Sequence, residues 1–431
     1  MVAVPERHSM SEVVTTTQTA PARYGTAVGF SLYLFIACSY IVNAMDRSVF
    51  SNLNTYVQKD LHLSLAQSGF ITTVFAIGFG ITGVFAGFLL DRYRRKTILI
   101  VGMLVYSIFT MLIPLSQGFW DITTYRVVTG IGEAMQQTAI FTMAGVFFAR
   151  RRNLALGGIN AAYGIGSFIG PILGIQIFLA GSNDWRLPLY LFGVIGIVYA
   201  LLLLFFLPSP FSEFGKDVAE SDRDHPVEVA AQPQPRQLLI RNLALLAGAN
   251  VLLGIVNYSY LGLYPTFLKS QLHFQPQEAA LAVSMYGIGA FAGLLAGYLA
   301  DRFGERRLIL AAIVGSILVG LLMFNIADQQ WDQMVLSLLF GVFNSGFLFV
   351  NVYALTQRAV AVEHIGKASG VASSAHYIGA GFSGAIFGGI VQAAGWGVGA
   401  LVVLFAVPVL AGICVAYVRV ADKEPASVST A

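Results

Sequence analysis

Charge is scarce in this sequence: 11% of its 431 residues are Asp, Glu, Lys or Arg, while 56% are hydrophobic. A soluble domain has no interior large enough for that much apolar surface. Cysteine is scarcer still. Cys38 and Cys414 are the only two; both lie within apolar stretches, are read as packing residues, and leave no disulfide framework or thiolate metal site. The 6 histidines are scattered, and neither an HExxH pair nor a GxSxG elbow occurs. An enzyme, a metal centre and an organic cofactor are therefore not expected. Strict apolar/polar alternation is also missing, which excludes a membrane barrel. Residues 1–23 lack the order of a removed signal peptide, and no soluble domain of the kind a membrane sensor would carry is expected. The net charge of +3 gives no nucleic-acid signal.

What is present is a series of long apolar runs, each able to cross a hydrocarbon core that needs ~20 helical residues. They fall near residues 25–57, 65–90, 97–116, 121–149, 154–180 and 187–207, then near 241–268, 276–300, 307–326, 331–357, 366–393 and 396–419. An all-α membrane protein of twelve transmembrane helices is the expected fold class. The 45 glycines suit close helix packing in lipid. Of the 25 Lys and Arg, only Lys59, Arg186 and Lys269 fall on the side opposite the remaining loop and tail cations, with Arg47 and Arg126 inside spans. The positive-inside rule then puts both termini in the cytoplasm, so that 1–23 and 421–431 are cytoplasmic tails. A monomer in a bacterial-type inner (cell) membrane, with the lipid bilayer around it, is the expected setting.

Residues 208–240 change character. Pro208, Pro210, Pro226, Pro233 and Pro235 stand among acidic and basic residues without a helical period, the pattern of a flexible cytoplasmic linker. On either side the chain repeats at an offset near 210 residues. Gly87-Phe88-Leu89-Leu90-Asp91-Arg92 pairs with Gly297-Tyr298-Leu299-Ala300-Asp301-Arg302, Trp120-Asp121 with Trp331-Asp332, and Gly130 with Gly341. Two pseudo-symmetric six-helix bundles, 24–207 and 241–420, are expected, with the working site between them.

Gly87, Leu89, Asp91, Arg92, Arg95 and Lys96 resemble the loop motif between helices 2 and 3 of the major facilitator superfamily. Gly297, Leu299, Asp301, Arg302, Gly304, Arg306 and Arg307 resemble its second copy between helices 8 and 9, and the resemblance covers essentially the whole chain. The first copy departs by carrying Arg94 where glycine is usual. An Asp at a helix end beside arginines can pair across the cytoplasmic mouth in one conformation and release in the other. Gly87, Asp91, Arg92, Arg95, Gly297, Asp301 and Arg302 are therefore candidate elements of a cytoplasmic gate. The alternative is that they serve only as positive-inside anchors.

Asp46, Arg47, Arg126, Glu133 and His376 fall inside predicted spans, where each charged side chain costs roughly 2.5 to 3.5 kcal/mol near mid-bilayer. Such groups must face a wet cavity or each other. Arg126 and Glu133, 7 residues apart, lie on one helix face. Their counterparts in the second half are Ser337 and Asn344, so charge is confined to the first half. The run Arg126-Val127-Val128-Thr129-Gly130-Ile131-Gly132-Glu133-Ala134, with Asn43-Ala44-Met45-Asp46-Arg47, resembles the anion:cation symporter family; it is also similar to spinster-like lipid transporters.

The symporter resemblance implies Asp46 and Glu133 as proton carriers, Arg47 as partner of a substrate carboxylate, and the proton as coupling ion. Desolvation favours a neutral carboxylate and a nearby arginine a charged one, so such groups can be poised to exchange protons. Arg126 is expected to hold Glu133 or meet substrate. Ala44 stands where sugar-acid carriers often have an aromatic, which argues against a sugar acid. A purely structural pairing of these charges is the alternative.

Asn160, Tyr163, Asn250, Asn257, Tyr260, Asn344, Asn351 and His376 are further candidates for a cavity wall, although interhelical hydrogen bonds would use the same groups. Gly379-Ala380-Gly381-Phe382-Ser383-Gly384 spells a dinucleotide-binding fingerprint outside any β-α-β context, and reads as a packing face. The expected function is secondary active transport of a small organic anion with protons; the alternative is export of an amphiphilic lipid-like or drug-like compound.

Overall fold

A computed structural model describes residues 26–148, 152–213, 236–359 and 365–418. The expected tails and most of the linker lie outside these residues, as do the side chains of Asp91 and Asp301 and the surroundings of Gly87 and Gly297. Among the described residues every regular element is a helix. In the first half these are α1 (Thr26–Asp60), α2 (Leu65–Thr73, resumed as Phe75–Arg92), α3 (Arg95–Leu112), α4 (Phe119–Phe147), α5 (Arg152–Ala180) and α6 (Arg186–Phe206). In the second half they are α7 (Arg236–Ser270), α8 (Pro276–Gly289, resumed as Gly293–Phe303), α9 (Glu305–Asn325) and α10 (Gln330–Gly341, a π-turn over Val342–Leu348, then Phe349–Arg358). The last helical stretch runs from Ile365 through Ala400 to Ala416 and holds two antiparallel helices, α11 (365–394) and α12 (396–416).

The reversal between those two is at Gly395, whose φ of +85° belongs to glycine. Beyond it, the Trp396 ring lies 5.9 Å from that of Phe387, a distance that nine residues of continuous helix, at ~1.5 Å each, could not give. Among the described residues, length and hydropathy alone mark 10 spans. One of them, Gly370–Ala416, contains this reversal, and the 29-residue α4 is not among the ten. That helix carries Asp121, Arg126, Glu133, Gln136 and Gln137, which lower its hydropathy; it is also the helix that carries the site.

The first half packs around Ile36, Met103, Tyr106 and Ile140, and the second around Tyr260, Tyr264, Phe324 and Phe387. Apolar side chains also point outward. On α6, Val194, Val198, Phe205 and Phe206, and on α12, Leu401, Phe405, Leu410 and Ile413, are exposed, as lipid-facing helices of a multi-pass membrane protein require. Trp120 and Trp331, paired by the repeat, both sit exposed in the first turn of their helices, where an amphipathic indole meets the membrane interface.

The halves meet where glycines let backbones touch. A Cβ at Gly69 would lie 2.2 Å from the carbonyl oxygen of Gly384, so α2 and α11 can cross this closely only without side chains there. Thr73 Oγ1 donates to Gly381 O at 3.1 Å and accepts from Gly384 N at 3.2 Å. The false fingerprint is thus a packing face. Gly164 and Gly287 make the corresponding crossing of α5 and α8.

The loop motifs act on helix ends within each half. Lys96 Nζ donates to the carbonyls of Leu204 and Leu207 at 2.8 and 2.6 Å, at the C-terminus of α6. Arg306, its repeat mate, donates to Ala416 O at the end of α12. Glu213 accepts from the backbone N–H of Arg95 and Lys96, each at 3.1 Å, an anion at the start of α3. Arg92 and Arg302 are exposed and Arg95 is buried. Arg94 adopts φ −66°, ψ 134°, whereas its counterpart Gly304 has φ +85°. The first loop therefore needs no left-handed residue, which is why arginine is tolerated there.

Candidate functional site

Between the halves lies a cavity of about 740 Å³. It reaches Gly157 near the start of α5, Ala300 near the end of α8 and Glu305 at the start of α9, so it extends toward the end of the bundle that carries the loop motifs. At the other end it is floored by Tyr377 and Tyr258, with Phe79 stacked on Tyr377 at 4.0 Å. Beyond this floor lie the Gly69–Gly384 crossing and Lys269, whose ammonium donates to Asn52 O and sits 5.0 Å from the Tyr56 ring.

Among the described residues, Arg47 is the one Lys or Arg of the cavity wall. From α1 its Nη2 lies 2.7 Å from Glu133 Oε2 on α4, and its Nε donates to the same oxygen at 2.9 Å. Nη2 also donates to Asn43 Oδ1 at 3.4 Å. Asn43 Nδ2 donates to Gln136 Oε1 at 2.9 Å, and Gln136 Nε2 donates to Ser39 O at 3.0 Å. A polar network thus fastens α1 to α4 behind the guanidinium, as buried polar groups require. The rings of Phe75, Phe79 and Tyr163 lie 5.2, 5.2 and 5.7 Å from the guanidinium carbon.

The two carboxylates stand behind this arginine, not in the cavity wall. Glu133 is 0% and Asp46 2% exposed. Asp46 Oδ2 accepts from Thr110 Oγ1 on α3 at 2.9 Å. The second oxygens, Asp46 Oδ1 and Glu133 Oε1, are buried without a hydrogen-bond partner. A carboxylate so placed is stabilised by a cation or by a proton.

Arg126 makes no ion pair with Glu133 among the described residues and is not part of the cavity wall. Its Nε and Nη2 donate to the carbonyls of Ile71 and Thr72 at 3.2 and 3.1 Å, just before α2 is interrupted at Val74. The guanidinium lies between Phe50 and Phe75, 4.3 and 4.8 Å from their rings. It fastens the break in α2 to α4, and Glu133 pairs with Arg47. Asn344 also lies off the cavity: it donates to Ser316 Oγ and Phe340 O at 2.8 and 3.1 Å. Tyr260 bonds Ser337 at 2.7 Å and Asn250 donates to Leu246 O at 2.9 Å.

Asn160, Tyr163, Asn257, Asn351 and His376 do line the cavity. Asn257, which the repeat offset aligns with Arg47, accepts from Tyr286 Oη at 2.8 Å. Residues that sequence reasoning passed over include Tyr40, Gln137, Tyr258, Tyr286 and Phe349. Polarity is no guide to aromatic residues in an apolar helix, which serve core and cavity alike; for Gln137 the signal was its place one helical turn beyond Glu133.

Residues 36–253 and 246–431 match the Major Facilitator Superfamily. The hexuronate transporter of Bacillus subtilis is 28% identical over 272 residues, 62% of this chain and 62% of that protein, a match short of two thirds of its length. The cis,cis-muconate transport protein of Acinetobacter baylyi is 25% identical over 291 residues, 66% of this chain and 69% of that one. A bacterial homologue of the human lysosomal transporter spinster, solved inward-facing and unoccupied, superposes with a TM-score of 0.68 at 17% identity over 91% of this chain and 96% of its own, a likeness of fold.

Proposed function

The chain belongs to the major facilitator superfamily, and on that premise we propose that it is a proton-coupled symporter that moves a small organic anion by alternating access of its two halves. The observation that carries this reading is Arg47, a cavity-wall cation whose present partner, Glu133, is a buried carboxylate with one oxygen free. An arriving carboxylate competes with Glu133 for the planar fork of Arg47. When it wins, Glu133 is left without a cation in a low-dielectric wall and is stable there only with a proton. Charge then balances. The empty site holds a guanidinium and a carboxylate; the loaded site holds a guanidinium, the substrate carboxylate and a neutral Glu133. One anion travels with one proton, and Asp46, held by Thr110 alone, supplies a second proton site.

Both the hexuronate and the cis,cis-muconate relatives are named for carboxylate substrates, which supports the anion class. The positive-inside rule puts the loop-motif end, toward which the cavity extends, in the cytoplasm. The cavity-wall roles then fall to Arg47, Asn160, Tyr163, Asn257 and His376.

The test is uptake into proteoliposomes of a panel of carboxylates under an imposed pH gradient, inside alkaline. The expected result is uphill accumulation of at least one carboxylate with matching proton entry. Indifference to every carboxylate, together with movement of an amphiphile, would replace the symporter by an amphiphile exporter.

A further inference from the structure

The cavity is walled by rings to a degree the chain as a whole is not. Nine of its 25 lining residues are Phe or Tyr, whereas these with Trp make up 13% of the sequence. They come from both halves, and several of them are linked by ring contacts that reach the guanidinium through Tyr163 and, behind the wall, through Phe79. Phe79, 5.2 Å from Arg47, stacks on Tyr377 at 4.0 Å. Tyr377 meets Tyr258 edge-on at 6.0 Å and His376 at 5.7 Å. His376 meets Phe349 at 5.2 Å, and Phe349 stacks on Tyr353 at 6.4 Å. On the opposite side Tyr163, 5.7 Å from Arg47, leans on Tyr40 at 5.9 Å.

We infer that the substrate is an aromatic carboxylate, held by its carboxylate on Arg47 and by its ring between the aromatic side chains of the two halves. This rests on the symport reading and narrows its substrate class. Ring faces and edges offer offset-stacked and edge-on partners to a planar π-system, and the burial of a ring repays its removal from water. A polyhydroxylated anion needs the reverse. Each of its hydroxyls must find a partner or lose free energy on leaving water. Each amide of the second-half wall already has one polar atom engaged: Asn257 Oδ1 accepts from Tyr286, and Asn351 Nδ2 donates to Phe347 O at 2.8 Å.

These contacts also give the ring a place in the transport cycle. Tyr377 in the cavity wall stacks on Phe79 of the opposite half, so a substrate ring lying on Tyr377 touches the contact that must part when the other end opens.

The experiment compares benzoate, 4-hydroxybenzoate, cyclohexanecarboxylate, glucuronate and benzamide, as driven uptake into proteoliposomes and as competitors of it, with wild-type protein. The aromatic acids are expected to be taken up, with half-saturation at least tenfold below that of cyclohexanecarboxylate, and benzamide is expected not to compete. Tyr377→Leu is expected to erase that tenfold preference and Tyr377→Phe to keep it. Because the wild-type panel decides the matter, a variant that fails to fold does not shield the proposal. Uptake of glucuronate without uptake of aromatic acids overturns this inference and leaves the symporter standing. Equal handling of cyclohexanecarboxylate and benzoate overturns the aromatic requirement. Movement of no carboxylate overturns both.

Discussion

Glu133→Gln separates binding from coupling. In the wild type an anion must displace the Glu133 carboxylate oxygen from two contacts with Arg47, at 2.7 and 2.9 Å. Glutamine keeps the shape and a carbonyl oxygen but no charge. A hydrogen bond to a charged acceptor is worth ~1 kcal/mol more than one to a neutral acceptor, so the two together weaken by about 2 kcal/mol. At ~1.4 kcal/mol per factor of ten, the anion should bind the variant about 30-fold more tightly at alkaline pH. The pH dependence should vanish as well. In the wild type, binding strengthens as pH falls, because a proton on Glu133 releases Arg47; in the variant that step is gone. Binding is read by titration calorimetry in detergent from acidic to alkaline pH, and coupling by uphill uptake and by exchange in proteoliposomes. The expected outcome is tight, pH-flat binding, intact exchange and no uphill accumulation. Pumping that persists with an unchanged pH profile would refute the reasoning and return Glu133 to a structural role.

Arg126→Lys keeps the charge but loses the fork that spans the Ile71 and Thr72 carbonyls; a stability loss of about 1–3 kcal/mol is expected, read as a lower Tm, with KM within twofold of wild type. A collapse of substrate affinity at unchanged Tm would instead put Arg126 on the substrate. Lys269→Met removes a charge-assisted hydrogen bond between the halves at the closed end, worth ~1.5–3 kcal/mol, so a cysteine introduced at the buried Thr266 should react with a polar maleimide at least tenfold faster in the variant background. Equal labelling rates would show that Lys269 does not hold this end shut. Gly384→Val would drive a side chain against Gly69 O, 1.9 Å from where its Cβ would stand; a penalty of ~1–3 kcal/mol for overpacking is expected, with slowed transport and a shift away from the closed arrangement of that end, and wild-type exchange rates would contradict it.

The helices could be read from the sequence because lipid imposes one rule on every residue of a span, whichever neighbours it has. The runs near 65–90 and 276–300 became α2 and α8, each interrupted once. The span set at 241–268 starts earlier in the structure, at Arg236, because the polar residues that ended the apolar run do not end a helix. The pairings were less accessible. Arg126 and Glu133 share a helix face, which made them look like partners, but Arg47 comes from another helix and reaches the carboxylate first. Asn344 and Asn257 are alike as sequence, and only packing sends one to Ser316 and the other to the cavity.

Composition, hydropathy and the repeat by themselves determined a two-fold bundle in a membrane, with its charges gathered in one half, because those features depend on solvent and on chain length alone. The tertiary structure decided which charge of the first half faces the cavity, which carboxylate it holds and which rings stand around it. Those outcomes depend on helix rotation and crossing, and a rotation of one residue, about 100° on an α-helix, is enough to exchange wall for core.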